Sequence, residues 1–197
     1  MEIIAIKAHP KEGVGKEAAK RTRRTGLVPA VIYSAGGGGD SVPVALDPKD
    51  FRHLIYTSNF KLAEITVGSD KYRCIVKDIQ FHPVTDAVIH LDFLALVPGV
   101  KFKVTVPIEF IGQAPGVKAG GKFIANMRNV KILTTPEHLV DKVVANISGM
   151  DLGSTLRVRD ITTNEGVEIL NSPAVPIAAI EIPRALRQQQ QQAQKGR

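Results

Sequence analysis

The chain has 197 residues, 44% of them hydrophobic and 23% charged, which is enough apolar material for one large domain or two small ones. Its single cysteine, Cys74, excludes an intramolecular disulfide and fits a reducing cytosol; no apolar run approaches the roughly 18–20 residues of a membrane span, and the N-terminus lacks a signal-peptide pattern. A formal net charge of +7 points to an anionic partner and disfavours a basic one.

Glu2–Ala8 alternates as an opening strand, and Pro10 to Gly15 reads as a loop. Lys16–Arg24 is rich in helix formers and stops at Gly26, a C-terminal cap signal with Pro29 beyond it. A short strand, Val28–Tyr33, follows, then a flexible turn at Gly36–Gly39 and Asp40, and a strand at Val42–Leu46. Asp47-Pro48 carries the N-cap and first-turn signals of a helix running through Phe51, Leu54 and Ile55. Leu62–Val67 and Lys71–Phe81 form a hairpin through Gly68-Ser69-Asp70, and the strand Ala87–Leu96 ends at Pro98-Gly99, the expected domain boundary.

Beyond it, strand patterns recur at Lys101–Ile111, Asn129–Leu133, Lys142–Ile147 and Ala174–Ile182, with a short helix at Pro136–Val140. Residues 184–197 are basic and Gln-rich, a low-complexity tail expected to be disordered. The expected organisation is a domain over 1–97, a second β-rich domain over 98–183 and this tail. The fold class is mainly β with short helices.

The charge excess is local. Lys7 to Arg24 holds seven basic residues against two acids, whereas 98–183 is nearly neutral, with nine basic and eight acidic residues. On a helix, Lys16, Lys20, Arg23 and Arg24 share one arc and Arg21 lies at its edge, while the other side offers only Ala18, Ala19 and Thr22. Such a helix has little to pack with, and its like charges repel; phosphate contacts and counterion release offset that repulsion. Tyr33 could stack on a base, donate to a phosphate, or simply pack at a barrel rim. His90 and Asp92 share the strand face opposite Ile89, Leu91 and Phe93. A carboxylate beside cations is repelled by phosphate, so if it binds RNA it accepts from a base amino group or a 2′-hydroxyl. The alternative is an ordinary surface His–Asp pair, and a third metal ligand is lacking.

Gly116 to Phe123 nearly spells a phosphate-binding loop, but Phe123 stands where magnesium needs a hydroxyl. Lys118, Lys122, Arg128 and Lys131 leave a secondary RNA patch open, against the plainer reading of an exposed glycine-rich loop. With no nucleophile elbow, zinc framework or dinucleotide fingerprint, the reading is not an enzyme, with no cofactor and no metal.

Two separated segments carry a resemblance. Lys11-Glu12-Gly13-Val14-Gly15-Lys16, Arg21 and Pro29-Ala30-Val31-Ile32-Tyr33 form one; Val76 to Pro83 with His90-Leu91-Asp92-Phe93 form the other. Together they resemble the bacterial large-subunit ribosomal protein family that binds 5S rRNA, in its two-domain form known as general stress protein Ctc. The resemblance implies an N-terminal β-barrel, a ribosome-associated cytoplasmic protein, and 5S rRNA as partner. It implies backbone contacts from Lys11, Lys16, Lys20, Arg21 and Arg23, and further RNA contacts from Tyr33, His90 and Asp92. Lys at 11 and 20 keeps charge but lacks the bidentate fork of arginine. The rival expectation is a stress-related protein-interaction module with only generic RNA affinity.

Overall fold

Thirteen strands form among the described residues of the computed structural model, which are 1–11, 13, 15–35, 41–57, 59–163 and 165–184. They fall into two compact units: Met1–Val104 with Thr134–Asp141, and Thr105–Leu133 with Lys142–Arg197 as far as the latter is described. The Gly36–Gly39 and Asp40 turn, and the Gln-rich tail after Arg184, lie outside the described residues.

In the first unit, strands β1 (Ile3–Pro10), β2 (Val28–Ser34), β3 (Val42–Leu46), β4 (Leu62–Val67), β5 (Asp70–Phe81) and β6 (Val88–Ala95) close into a barrel. Their order is β1-β3-β2-β6-β5-β4. β4 returns parallel to β1, with Ile3 opposite Leu62 and Ala8 opposite Val67, and so removes the last free edge. Ile6, Ile32, Leu46, Ile65, Leu91 and Phe93 fill the interior and are almost wholly shielded. The hairpin at Gly68-Ser69 forms because Gly68 takes φ +60°, and Val67 then pairs with Asp70.

Helix α1 (Lys16–Arg24) has the bounds its sequence predicts. Gly26 at φ +81° ends it, with its N–H donating to Arg23 O and the Leu27 N–H donating to Thr22 O. These two bonds satisfy the last carbonyls in the Schellman pattern. The helix expected from Asp47 is shorter than its signals suggested. Asp47 Oδ1 accepts the Lys49 N–H at 2.9 Å and makes a local turn, and only α2 (Arg52–Ile55) is helical. Asp and Pro signal turns as readily as helix starts.

Later in the chain come β7 (Phe102–Ile111), β8 (Lys122–Ala125), β9 (Asn129–Thr134), β10 (Val143–Asn146), β11 (Thr155–Arg157), β12 (Glu168–Ile169) and β13 (Pro176–Glu181). They form a sheet ordered β10-β7-β9-β12 and another ordered β11-β13-β8. Ala114, Met150 and Ile180 are buried in the second unit, with Phe123, Leu152 and Leu156 packed against them. The expected helix at Pro136–Val140 is a 3-10 turn, Pro136–His138.

The Gly116–Lys122 segment is exposed at Val117, Lys118, Ala119, Gly120 and Lys122, and is packed only at Gly116 and, in part, Gly121. It opens with a single turn, α3 (Pro115–Lys118), and Gly116 is buried with its N–H donating to Met150 O at 3.0 Å. A Cβ on Gly116 would sit 2.6 Å from the Asp151 carbonyl carbon, so this glycine answers to backbone approach. Among the described residues, no helix is long and apolar enough to cross a membrane.

Candidate nucleic-acid interface

Of the nine residues of α1, only Ala18 is fully buried; Ala19 and Thr22 are half-buried. Lys16, Lys20, Arg21, Arg23 and Arg24 are all exposed. The thin apolar side expected from the sequence is the side that packs, and it holds the cations outward. Gly15 at φ +101° precedes the helix and no side chain caps its first turn.

Arg21 stands apart from the outward arc. It lines a groove of about 340 Å³ with His9, Lys11, Ala18 and Thr25. Lys11 is held there because its main-chain N–H donates to Pro43 O at 3.3 Å, extending the β1–β3 pairing. Lys11 and Arg21, ten residues apart in sequence, thus share one groove. His9 joins them, a residue that strand alternation alone does not single out.

Arg23 turns toward the barrel wall: its Nε donates to Ile89 O at 3.0 Å. This ties the helix to β6 beside His90. On β6 the alternation is realised, since Leu91 and Phe93 are fully buried while His90 and Asp92 are about 30% exposed at their side chains. His90 Nδ1 lies 2.8 Å from Asp92 Oδ1, though it is buried and lacks the alignment of a hydrogen bond. With Nδ1 turned to this carboxylate, Nε2 is the ring nitrogen left to meet another partner.

Strand register brings further groups to the same wall. Asp78 stands opposite Asp92 and Gln80 opposite His90. β5 slips register between Val76 and Asp78, so Lys77 is the extra residue of a bulge. Bulges re-aim side chains in this way. On the other side of β6, Val31 pairs with Asp92 and Tyr33 with Leu94. Burial pushes the Tyr33 phenol above its ordinary pKa of 10.0, and the negative fields of Asp92 and then Asp78 push it further. Tyr33 therefore keeps its proton and remains a donor.

The structure thus gathers the predicted residues in two places. Lys11 and Arg21 meet in the groove; Tyr33, His90 and Asp92 meet on the β2–β6 wall, with Arg23 reaching toward it. Lys16 and Lys20 stay on the outer arc of α1. Asp78 and Gln80, which the sequence reading does not single out, stand on the same wall. Their signal was cross-strand register, which the sequence does not print. Among the described residues, no group of three or more His, Cys, Asp or Glu side chains is placed to hold a metal ion.

Comparison with known proteins covers nearly all of the chain. The family model for the ribosomal L25p family matches residues 6–93, and that for the C-terminal domain of ribosomal protein TL5 matches residues 101–184. The chain is 37% identical to the large ribosomal subunit protein bL25 of Porphyromonas gingivalis, over 95% of this chain and 96% of that protein. It is 33% identical to bL25 of Cytophaga hutchinsonii, over 99% of this chain and all of that protein. To bL25 of Amoebophilus asiaticus it is again 33% identical, over 95% and 93%.

Proposed function

Since the chain belongs to the ribosomal L25p family and is a structural protein of the large ribosomal subunit, not an enzyme, we propose that it holds 5S rRNA through residues 1–97. The observation that carries this reading is the Arg23–Ile89 bond at 3.0 Å, which joins the cationic helix to the strand bearing His90 and Asp92. One RNA helix lying along α1 then meets two chemistries at once.

Lys11, Lys16, Lys20, Arg21 and Arg23 take phosphates. They supply affinity and orientation without reading sequence. Tyr33, His90 and Asp92 supply discrimination. Tyr33 donates its phenol proton or stacks, His90 offers Nε2, and Asp92 with Asp78 accepts from base amino groups or 2′-hydroxyls. The A-form minor groove exposes such groups, so shape and hydroxyl pattern are what this wall can recognise. The second unit supplies any contacts to neighbouring parts of the subunit.

Filter binding of the full chain to 5S rRNA and to tRNA, at about 50 and 200 mM salt, tests the proposal. Tight binding selective for 5S rRNA, with a log–log salt slope at least as steep as the about −4 to −5 that these five phosphate contacts give, is the expected result. Equal affinities that collapse together with salt would reduce α1 to a generic basic patch.

A further inference from the structure

The barrel carries a second concave site, in the first unit, that none of these contacts uses. A pocket of about 270 Å³ opens between the Pro48 turn, α2 and the start of β6, with Pro48, Phe51, Tyr56 and Val88 as apolar walls and Lys49 and Arg52 beside them. No acidic residue lines it among the described residues. We propose that this pocket receives one unstacked nucleobase of the bound RNA, stacked on Tyr56, with Lys49 and Arg52 on the flanking phosphates.

Four observations converge on that occupant. Tyr56 is the most exposed aromatic side chain among the described residues, at 59%. Phe51 beneath is 2% exposed, so the floor is the fixed core of the barrel and does not collapse when the pocket is empty. The volume falls below the roughly 300–1,000 Å³ of pockets built for small-molecule ligands, which suits a single planar ring. The two cations at the rim complement phosphate, since Asp47 in the same turn is engaged with the Lys49 N–H and neither it nor Asp50 lines the pocket.

Position supplies the link to the rest of the interface. Val88 is two residues before His90 on β6, about 7 Å along a strand, and Ile89 between them holds Arg23. An RNA strand leaving the His90–Asp92 wall reaches the pocket within about one nucleotide step. Single-stranded loops and bulges are where RNA offers splayed bases, and aromatic platforms flanked by cations are what receive them.

The inference rests on the proposed 5S rRNA binding, and its test separates the two. In filter binding of the full chain to 5S rRNA, Tyr56→Ala is expected to weaken affinity by about 5- to 100-fold with no change in salt slope, because stacking releases no counterion. Tyr56→Phe keeps the ring and is expected to bind as the parent does. A Lys49→Gln/Arg52→Gln double variant, which leaves the apolar walls in place, is expected to lower the salt slope by about two. If the parent binds 5S rRNA and Tyr56→Ala binds equally well, the pocket is not a base site, although the main interface stands. A loss that Tyr56→Phe does not restore would overturn stacking. If the parent fails to bind 5S rRNA, both readings fall. Should Tyr56→Ala melt early, an unchanged slope in the double variant would overturn the pocket independently.

Discussion

Arg23 donates from Nε to the main-chain oxygen of Ile89 at 3.0 Å, so a side chain proposed to hold phosphate also fastens helix α1 to strand β6. Its charge and its geometry can be separated. Arg23→Lys keeps the charge but has no planar Nε–H to reach that carbonyl. The expected outcome is a stability loss of about 0.5–1 kcal/mol in urea melts, because the bond is exposed, together with weaker 5S rRNA binding at an unchanged salt slope. Equal stability and affinity would show that the bond positions nothing.

Arg21 differs from Arg23 because it lines the groove with Lys11, while Arg23 is bonded to a strand carbonyl. Arg21→Ala is therefore expected to lower the salt slope by about one and to weaken binding to any RNA sequence alike. Titrations against 5S rRNA at several salt concentrations measure both quantities.

Tyr33 gives a pH signature. Its phenol is raised above 10.0, first by burial and then by Asp92 and Asp78, so in the folded state it holds its proton where the unfolded chain has released it. The stability this contributes is complete below the unfolded value of 10.0 and is lost as pH rises through the higher folded value. Asp92→Asn removes one of the two fields, and the phenol should then titrate closer to 10.0. A phenolate absorbance titration in a Tyr56→Phe/Tyr72→Phe background isolates the group. An unmoved midpoint would remove Asp92 as a neighbour of Tyr33.

The sequence made α1 legible to the residue because its start and stop signals are local: Gly15 precedes it, Gly26 closes it, and its charges follow the helical period. The inward Leu91 and Phe93 and outward His90 and Asp92 were legible for the same reason, since a strand alternates with period two. Asp78 and Gln80 were not, because their place opposite Asp92 and His90 depends on one bulged residue, Lys77, and on pairing with a strand ten residues away. Strands β8, β11 and β12, of four, three and two residues, are too short for alternation to reveal. The pocket beside Tyr56 needs barrel closure to exist at all.

Cys74 is wholly buried in the barrel wall, opposite Ala63 and Ala95, and burial pushes its thiol up to about 12. The thiolate is the reactive form, so alkylation of the native protein should be slow and should follow the unfolding rate. Its stability contribution is complete below the ordinary 9.0 and lost as pH rises toward 12. Cys74→Ser, which buries a hydroxyl in place of sulfur, should cost about 1–3 kcal/mol. Rapid labelling under native conditions would contradict this burial.

The glycines of the second unit can be sorted by what a methyl group would meet. At Gly116 a Cβ would lie 2.6 Å from the Asp151 carbonyl carbon and 2.7 Å from the Leu152 nitrogen, both main-chain atoms that cannot swing aside. At Gly149 nothing lies within 4 Å, and its φ is not in the left-handed region. Gly116→Ala should therefore destabilise by about 1–3 kcal/mol as an overpacking substitution. Gly149→Ala should be neutral, or stabilise by about 0.4–1 kcal/mol by restricting the unfolded chain. Urea melts of the two variants side by side measure the contrast. If Gly116 served a phosphate instead, its variant would keep the parent's stability and lose RNA affinity; the close backbone approach requires the reverse, lower stability with 5S rRNA affinity retained below the melting transition.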